Sequence, residues 1–127
     1  MQIQIGSELN SDPGFDTSTG WNTHSSAWSI NFGRAVANGA LNGKLTRTSA
    51  ETLTEGLMVH THVEVTALTE GAIAILVGGN QGTTITAPGT YVEDIESGGA
   101  DQLIGMLQIG LDGAAAVVEM LEMNPHL

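Results

Sequence analysis

Two histidines and a glutamate are the first group of side chains that could do chemistry. His60, His62 and Glu64 alternate with other residues, so that in a strand their side chains point to the same side of the sheet. Imidazole nitrogens and carboxylate oxygens are zinc ligands, and these three could share one ion. The same stripe on a solvated sheet surface needs no metal, and we favour that interpretation.

The acidic stretch from residue 9 to residue 21 is the second candidate. It reads LNSDPGFDTSTGW and places Asp12 and Asp16 on either side of Phe15, ahead of Trp21. The spacing of its acids is not that of an EF-hand calcium loop. Asp, Gly and Pro are also the residues that turn a chain. The stretch could therefore be a metal loop, the edge of a sugar platform or the first turn of a β-sandwich.

Aromatic side chains are the third candidate, because a flat ring can stack on a sugar. The chain has two Trp, one Tyr and two Phe, and Trp21, Trp28 and Tyr91 could form such a platform. Of these, Trp28 and Tyr91 are the positions predicted for glycan contact, whereas Phe15 and Trp21 are predicted to anchor the core. Trp28 fits a core face as well. The sequence has no nucleophile elbow, phosphate loop or zinc-protease helix, so we expect no enzyme.

Length and charge limit the class of protein. The 127 residues are enough for one domain, and we predict a single domain over residues 1–127. Three basic residues against 14 acidic ones give a formal net charge of −11, which disfavours nucleic acid and anionic membrane surfaces as partners. No apolar run reaches the roughly 18 residues of a membrane span, and residues 1–4 do not resemble the start of a signal peptide.

Alternating or β-branched segments separated by turn signals predict strands. These segments are residues 27–32, 44–48, 57–67, 72–77, 83–86, 90–96, 102–111 and 114–123. The pair 57–67 and 72–77 is expected to form a hairpin, and Asp112-Gly113 is expected to turn a second one. Residues 114–123 could also form a helix, although we favour a strand, and residues 50–56 predict either one helical turn or a loop. The pattern is typical of an all-β antiparallel β-sandwich, a jelly roll.

The order of motifs along the chain carries a family resemblance. Leu9, Phe15-Asp16 and Gly20-Trp21 open the chain, followed by Asn38-Gly39-Ala40-Leu41, the stretches 63–79 and 87–91, and finally residues 118–123. This order resembles the carbohydrate-binding-module-like, galactose-binding-like jelly-roll domains of tailed-bacteriophage structural proteins and bacterial glycan-processing enzymes. Some domains of that family hold a structural calcium between the opening loop and the last strand. The resemblance implies Asp12, Asp16 and Glu119 as its ligands here, with no other cofactor.

The same resemblance implies a function. We predict a non-enzymatic structural protein of a tailed-bacteriophage virion, namely a capsid decoration or accessory protein assembled in the host cytoplasm. Its partners would be the major capsid protein and further copies of itself in a homotrimer. Met58, Met106, Met120 and Met123 would supply adaptable packing in the core or at that interface. The alternative is a carbohydrate-binding module that recognises a host-surface glycan.

Overall fold

A computed structural model describes residues 8–24, 27–31, 33–39, 42–109 and 114–125. All regular secondary structure in this part of the chain is β-strand. No helix in the described residues is long and apolar enough to cross a membrane. The strands are β1 (Trp28–Ile30), β2 (Ala35–Asn38), β3 (Lys44–Thr48), β4 (Met58–Glu70), β5 (Ala72–Val77), β6 (Asn80–Gln81), β7 (Gly89–Glu96), β8 (Leu103–Ile109) and β9 (Ala115–Pro125).

The strands form two antiparallel sheets. One has five strands in the order β1-β2-β9-β4-β7, and the other has four in the order β3-β8-β5-β6. All strand pairs are antiparallel, and the longest is that between β4 and β9. The predicted all-β antiparallel jelly-roll sandwich is confirmed.

The core lies between the two sheets, and the long strands β4 and β9 alternate buried and more exposed side chains. On β4, Val59, Val63 and Val65 point inward, and on β8 the inward side chains include Ile104 and Met106. Each such side chain, when fully buried, stabilises the fold by about 1.5–3 kcal/mol. The period of two therefore determines which side of each sheet remains available to a ligand.

The predicted hairpin between residues 57–67 and 72–77 is wrong. Both segments are strands, but β4 pairs with β7 and β9, whereas β5 pairs with β6 and β8. Gly71, with φ 68°, turns the chain from one sheet into the other. A turn signal predicts that the chain changes direction, but it does not tell whether the next strand pairs beside the first or crosses to the opposite sheet.

The second predicted hairpin is wrong for the same reason. Asp112-Gly113 lies outside the described residues, but the strands before and after it, β8 and β9, belong to different sheets. The strand predicted over residues 114–123 is confirmed as β9, and residues 50–56 form a loop. The predicted strand 83–86 is reduced to one bridge between Ile73 and Ile85. Phe32, predicted in a strand, and Ala40-Leu41 of the family resemblance lie outside the described residues.

Candidate functional site

The opening stretch lies along β9, next to the end of β2. The Leu9 N–H donates to the Met123 carbonyl at 2.7 Å, and the Leu121 N–H donates to the Pro13 carbonyl at 2.9 Å. The Asn10 side-chain amide adds a bond to the Leu121 carbonyl at 2.8 Å. Residues 9–13 therefore satisfy backbone groups of β9 that β2 does not reach, which makes the stretch the entry turn of the sandwich.

Asp12 organises that turn from a buried position. Its Oδ1 accepts the Asp16 N–H at 2.8 Å, and its Oδ2 accepts the Thr17 N–H at 3.3 Å and the Trp21 indole N–H at 3.1 Å. Only 7% of Asp12 is exposed. Three N–H donors therefore compensate the buried carboxylate, as a buried charge requires.

The structure does not assemble the predicted calcium ligands. Glu119 is on β9, where the Nε of Arg34 lies 3.3 Å from its Oε1. Within the residues that the structure describes, which include Asp12, Asp16 and Glu119, no three His, Asp or Glu side chains are grouped to hold a metal ion. Calcium binding as such stays a prediction, to be tested by whether calcium raises the melting temperature.

Phe15 and Trp21 are both buried, at 0% and 8% exposure. Their ring centroids are 5.2 Å apart, and the guanidinium carbon of Arg47 lies 5.0 Å from the Trp21 ring centroid. Phe15 has a left-handed backbone with φ 54°, which is rare for a bulky residue. The turn that Asp12 organises therefore places Phe15 in the core at some backbone strain.

The other predicted aromatic contacts do not form a platform. Trp28 is 1% exposed, and its indole N–H donates to the Gly43 carbonyl at 3.1 Å. The Tyr91 ring is partly buried, and its hydroxyl donates to the Ala87 carbonyl at 2.6 Å. Because the Trp28 ring is enclosed in the core, a sugar cannot stack on it, and the prediction of a glycan contact there conflicts with the structure.

The solvent side of the five-stranded sheet carries histidines paired with carboxylates. This surface, called the five-strand face below, consists of the outward side chains of β4, β7 and β9. The His60 Nδ1 lies 2.8 Å from the Asp94 Oδ1, and the His62 Nδ1 lies 3.5 Å from the Glu122 Oε1. Each histidine thus has a carboxylate partner on a neighbouring strand. Among the described residues, which include His60, His62 and Glu64, no three such side chains are grouped to hold a zinc ion.

The solvent side of the four-stranded sheet contains a cavity of about 100 Å³. This surface, called the four-strand face below, consists of the outward side chains of β3, β8 and β5. The cavity is lined by His24, Lys44, Thr46, Leu76, Gly79, Asp101 and Leu103. Two leucines thus give it an apolar floor, while an ammonium, a carboxylate, an imidazole and a hydroxyl group give it polar walls.

The sheet register places a glycine between two of the residues that line the cavity. Gly105 on β8 lies opposite Thr46 of β3 on one side and Leu76 of β5 on the other. Its φ of 155° and the Leu45 carbonyl oxygen, which an added Cβ would strike, both restrict the position to glycine.

Two loops supply the remaining walls. The segment before β1 bridges Asn22 to Thr46, and the His24 Nε2 lies 3.0 Å from the Thr46 Oγ1, within hydrogen-bond distance. On the opposite side, the Ala100 N–H donates to the Gly78 carbonyl at 3.0 Å, and the Leu103 N–H donates to the Asp101 Oδ1 at 3.0 Å. These bonds hold His24 and Asp101 at the rim before any ligand arrives.

The charged groups of the cavity form no ion pair with another described residue. Of the three basic residues, Arg34 pairs with Glu119 and Arg47 stacks on Trp21, whereas Lys44 lines the cavity. Among the described side chains, neither Lys44 nor Asp101 takes part in an ion pair. Lys44 therefore offers three donors and Asp101 retains acceptor capacity for a ligand.

Sequence reasoning did not find this site. A lysine in an acidic chain and the turn at Gly78-Gly79-Asn80 were visible signals. Lys44 and Asp101 are far apart in sequence, however, and they line the same cavity only because β3, β8 and β5 are neighbours. That adjacency depends on the strand order of the sheet, which no local pattern contains.

Comparison with known proteins supports the fold. No protein-family model matches the sequence, and no curated protein is similar to it in sequence. The fold is similar to a solved structure of a mutant of CBM29-2, a family 29 carbohydrate-binding module, complexed with mannohexaose. The TM-score is 0.60, the identity is 14%, and the likeness covers 98% of this chain and 93% of that chain. This likeness supports the carbohydrate-binding-module-like fold. It gives no support for a connection with bacteriophages.

Proposed function

We propose that the chain is a non-enzymatic carbohydrate-binding module and that its ligand occupies the cavity on the four-strand face. The observation that carries the proposal is the cavity lining. Lys44 and Asp101, which form no ion pair within the described part of the chain, line the cavity together with Leu76 and Leu103. Binding sites for small ligands combine an apolar surface with a few convergent polar groups in this way.

The lining matches the two chemical faces of a sugar ring. A carboxylate such as that of Asp101 accepts hydrogen bonds from hydroxyl groups, and the Lys44 ammonium donates to hydroxyl oxygens. Hydrogen bonds with a charged partner contribute about 1.5–3 kcal/mol each. The leucine side chains contact the C–H side of the ring, which gains from the removal of apolar surface from water.

Charge favours a neutral glycan over an acidic one. The chain carries a net charge of −11, which repels uronates and sulfated sugars. Within the cavity, the one lysine is offset by the one aspartate. A neutral saccharide meets neither repulsion nor an unbalanced charge there.

The structural likeness adds support at the level of the fold. The similar structure is a carbohydrate-binding module in complex with mannohexaose, and it corresponds to this chain over nearly its whole length. Mannohexaose is therefore the first probe to use. Neither the described residues nor the comparisons offer an observation in favour of the capsid decoration role, the homotrimer or the virion location, which stay predictions.

The test is isothermal titration calorimetry with mannohexaose, extended to soluble neutral and acidic polysaccharides. We expect binding of a neutral glycan and none of polygalacturonate. Lys44→Met and Asp101→Asn should each weaken binding by about tenfold to a hundredfold. Asparagine keeps an oxygen that can accept the Leu103 N–H, so the second variant preserves the local turn.

Matched variants control for charge alone. Arg34→Gln removes a positive charge from the other sheet, and Glu70→Gln removes an exposed negative charge at the end of β4. Both should bind the glycan like the unaltered protein. Equal loss of affinity in the control and cavity variants would contradict the proposed location, and absence of binding to every neutral glycan would contradict the function.

A further inference from the structure

The cavity is small compared with the sites that hold extended ligands. Its volume of about 100 Å³ is about a third of the lower limit, roughly 300 Å³, for sites of drug-sized ligands. The part of its lining that lies in the sheet comes from three adjacent strands, β3, β8 and β5, which together span about 10 Å across the sheet. Along β3 it extends over two successive outward positions, Lys44 and Thr46, a distance of about 7 Å. These dimensions suit one sugar ring.

The four-strand face offers no polar continuation of the cavity along its two central strands. Beyond Gly105 the outward positions of β8 are Leu107 and Ile109, and those paired with them on β5 are Ala74 and Ala72. None of these four side chains can form hydrogen bonds. A second and third sugar unit placed along the strands would lose hydration of its hydroxyl groups without regaining hydrogen bonds from side chains.

The other end of the cavity is closed by loops. β5 ends at Val77, and the Gly78-Gly79 turn packs against the loop that carries Asp101, with the Ala100 N–H donating to the Gly78 carbonyl at 3.0 Å. At the β3 edge, the His24 Nε2 lies 3.0 Å from the Thr46 Oγ1 and lines the same cavity. The polar groups that line the cavity therefore cluster at one end of the sheet, and beyond them β3 adds one outward polar side chain, Thr48.

We propose that the cavity binds one terminal unit of a neutral sugar chain, so that the domain recognises chain ends and not runs of internal units. This inference rests on the proposed function. The terminal ring fits the cavity with Lys44 and Asp101 on its hydroxyl groups, and the following units extend into solvent. Each further unit therefore adds little to the binding free energy.

The test is a chain-length series measured by calorimetry on the intact protein. Mannose, mannobiose, mannotriose and mannohexaose are compared, with glucose to cellohexaose as a parallel series. We expect the dissociation constants within the series that binds to agree within about threefold, a spread below 1 kcal/mol. A decrease of about tenfold or more from the disaccharide to the hexasaccharide overturns this inference while leaving the proposed function in place.

Two further readouts make the outcome specific. In saturation-transfer NMR, the signal should be concentrated in one terminal ring of mannohexaose, and signal spread over the internal rings overturns the inference. Asp101→Asn should weaken mannose and mannohexaose by the same factor, whereas a loss confined to the hexasaccharide contradicts single-unit binding. If neither series binds, the proposed function fails and this inference fails with it.

Discussion

The two sheets present opposite kinds of outer face. On the five-strand face, His60 pairs with Asp94 and His62 with Glu122, each across neighbouring strands. On the four-strand face, Lys44 and Asp101 line a cavity, and neither takes part in an ion pair with a described residue. The first face has the greater number of groups that could ligate or catalyse, but the second has those that are available to a ligand.

The difference shows that residue type alone is a poor guide to a binding site. A histidine beside a carboxylate on an exposed strand forms a surface pair that contributes little to stability and leaves little capacity for a ligand. A lysine and an aspartate held apart around an apolar depression keep their hydrogen-bonding capacity. Whether charged groups are paired within the protein therefore separates the two faces better than how many there are.

The largest expected effect comes from Gly105→Ala, which should disrupt the four-stranded sheet and with it the four-strand face. The added Cβ would strike the Leu45 carbonyl oxygen, and φ at this position is 155°. We expect a loss of roughly 4 kcal/mol or more in the free energy of unfolding, measured by urea denaturation. Gly14→Ala is the control, because its Cβ would meet nothing nearer than the Asp16 Oδ1 at 3.5 Å. Similar small losses in both variants would contradict the role given to Gly105.

The next effect comes from Asp12→Ala, which weakens the attachment of the opening turn to the five-stranded sheet. The N–H groups of Asp16, Thr17 and Trp21 lose their acceptor. We expect the free energy of unfolding to fall by about 2–4 kcal/mol. Asp16→Ala, at an exposed position of the same stretch, should cost less than about 0.5 kcal/mol in the same urea experiment. Equal losses would show that the Asp12 bonds are not what holds the turn.

Asp12 and the chain crossing at Gly71 show how much of the fold could be predicted from the sequence. Period-two patterning predicted β4 correctly, because alternation reports directly which face is buried. The strand β5 was predicted from a short β-branched run, and β9 from the turn signal before it, although the hairpin expected at that turn is wrong. These patterns could not predict that β4 and β5 lie in different sheets, since the chain crosses at the single residue Gly71. Asp12 was singled out for its charge, but its partners, three N–H groups of the same turn, depend on the conformation of that turn.

For the candidate site, the sequence was less informative. His60, His62 and Glu64 were correctly placed on one face, but their carboxylate partners lie on β7 and β9, and the register decides those contacts. The cavity required the β3-β8-β5 order and loop residues from distant parts of the chain, among them His24 and Asp101. Aromatic residues suggested a sugar platform, yet burial of Trp21 and Trp28 was the stronger requirement in a chain with few large apolar side chains.

A smaller effect is expected from the paired histidines, and it sharpens the contrast between the faces. A double-mutant cycle with His60→Ala and Asp94→Ala should give a coupling energy below about 1 kcal/mol, since both side chains are partly exposed. The single variants should leave glycan affinity unchanged. A coupling above about 2 kcal/mol, or a change in affinity, would mean that the five-strand face is more than a solvated surface.

The smallest effect concerns pH and Glu8. Burial raises the pKa of Glu8 above its ordinary value of 4.5, and the nearby Glu122 raises it further, while N–H bonds from Met123 and Asn10 oppose the shift. The folded state therefore binds this proton more tightly than the unfolded chain does. The stability that results is fully present below pH 4.5 and is lost as the pH rises through the folded-state pKa.

Urea midpoints over a pH series that begins below 4.5 measure this contribution. Glu8→Gln should remove part of the decline in stability above that pH, and Glu51→Gln, at an exposed position, should not. An identical pH profile for all three proteins would contradict the account of Glu8.

The most direct test of the central claim is an amide chemical-shift titration with mannohexaose, because it shows which face binds. The account predicts shift changes on the four-strand face, clustered at Lys44, Thr46, Gly79, Asp101 and Leu103. The amides of His60, His62 and Glu122 on the opposite sheet should not move. Shift changes confined to those three residues and their strands would contradict the account.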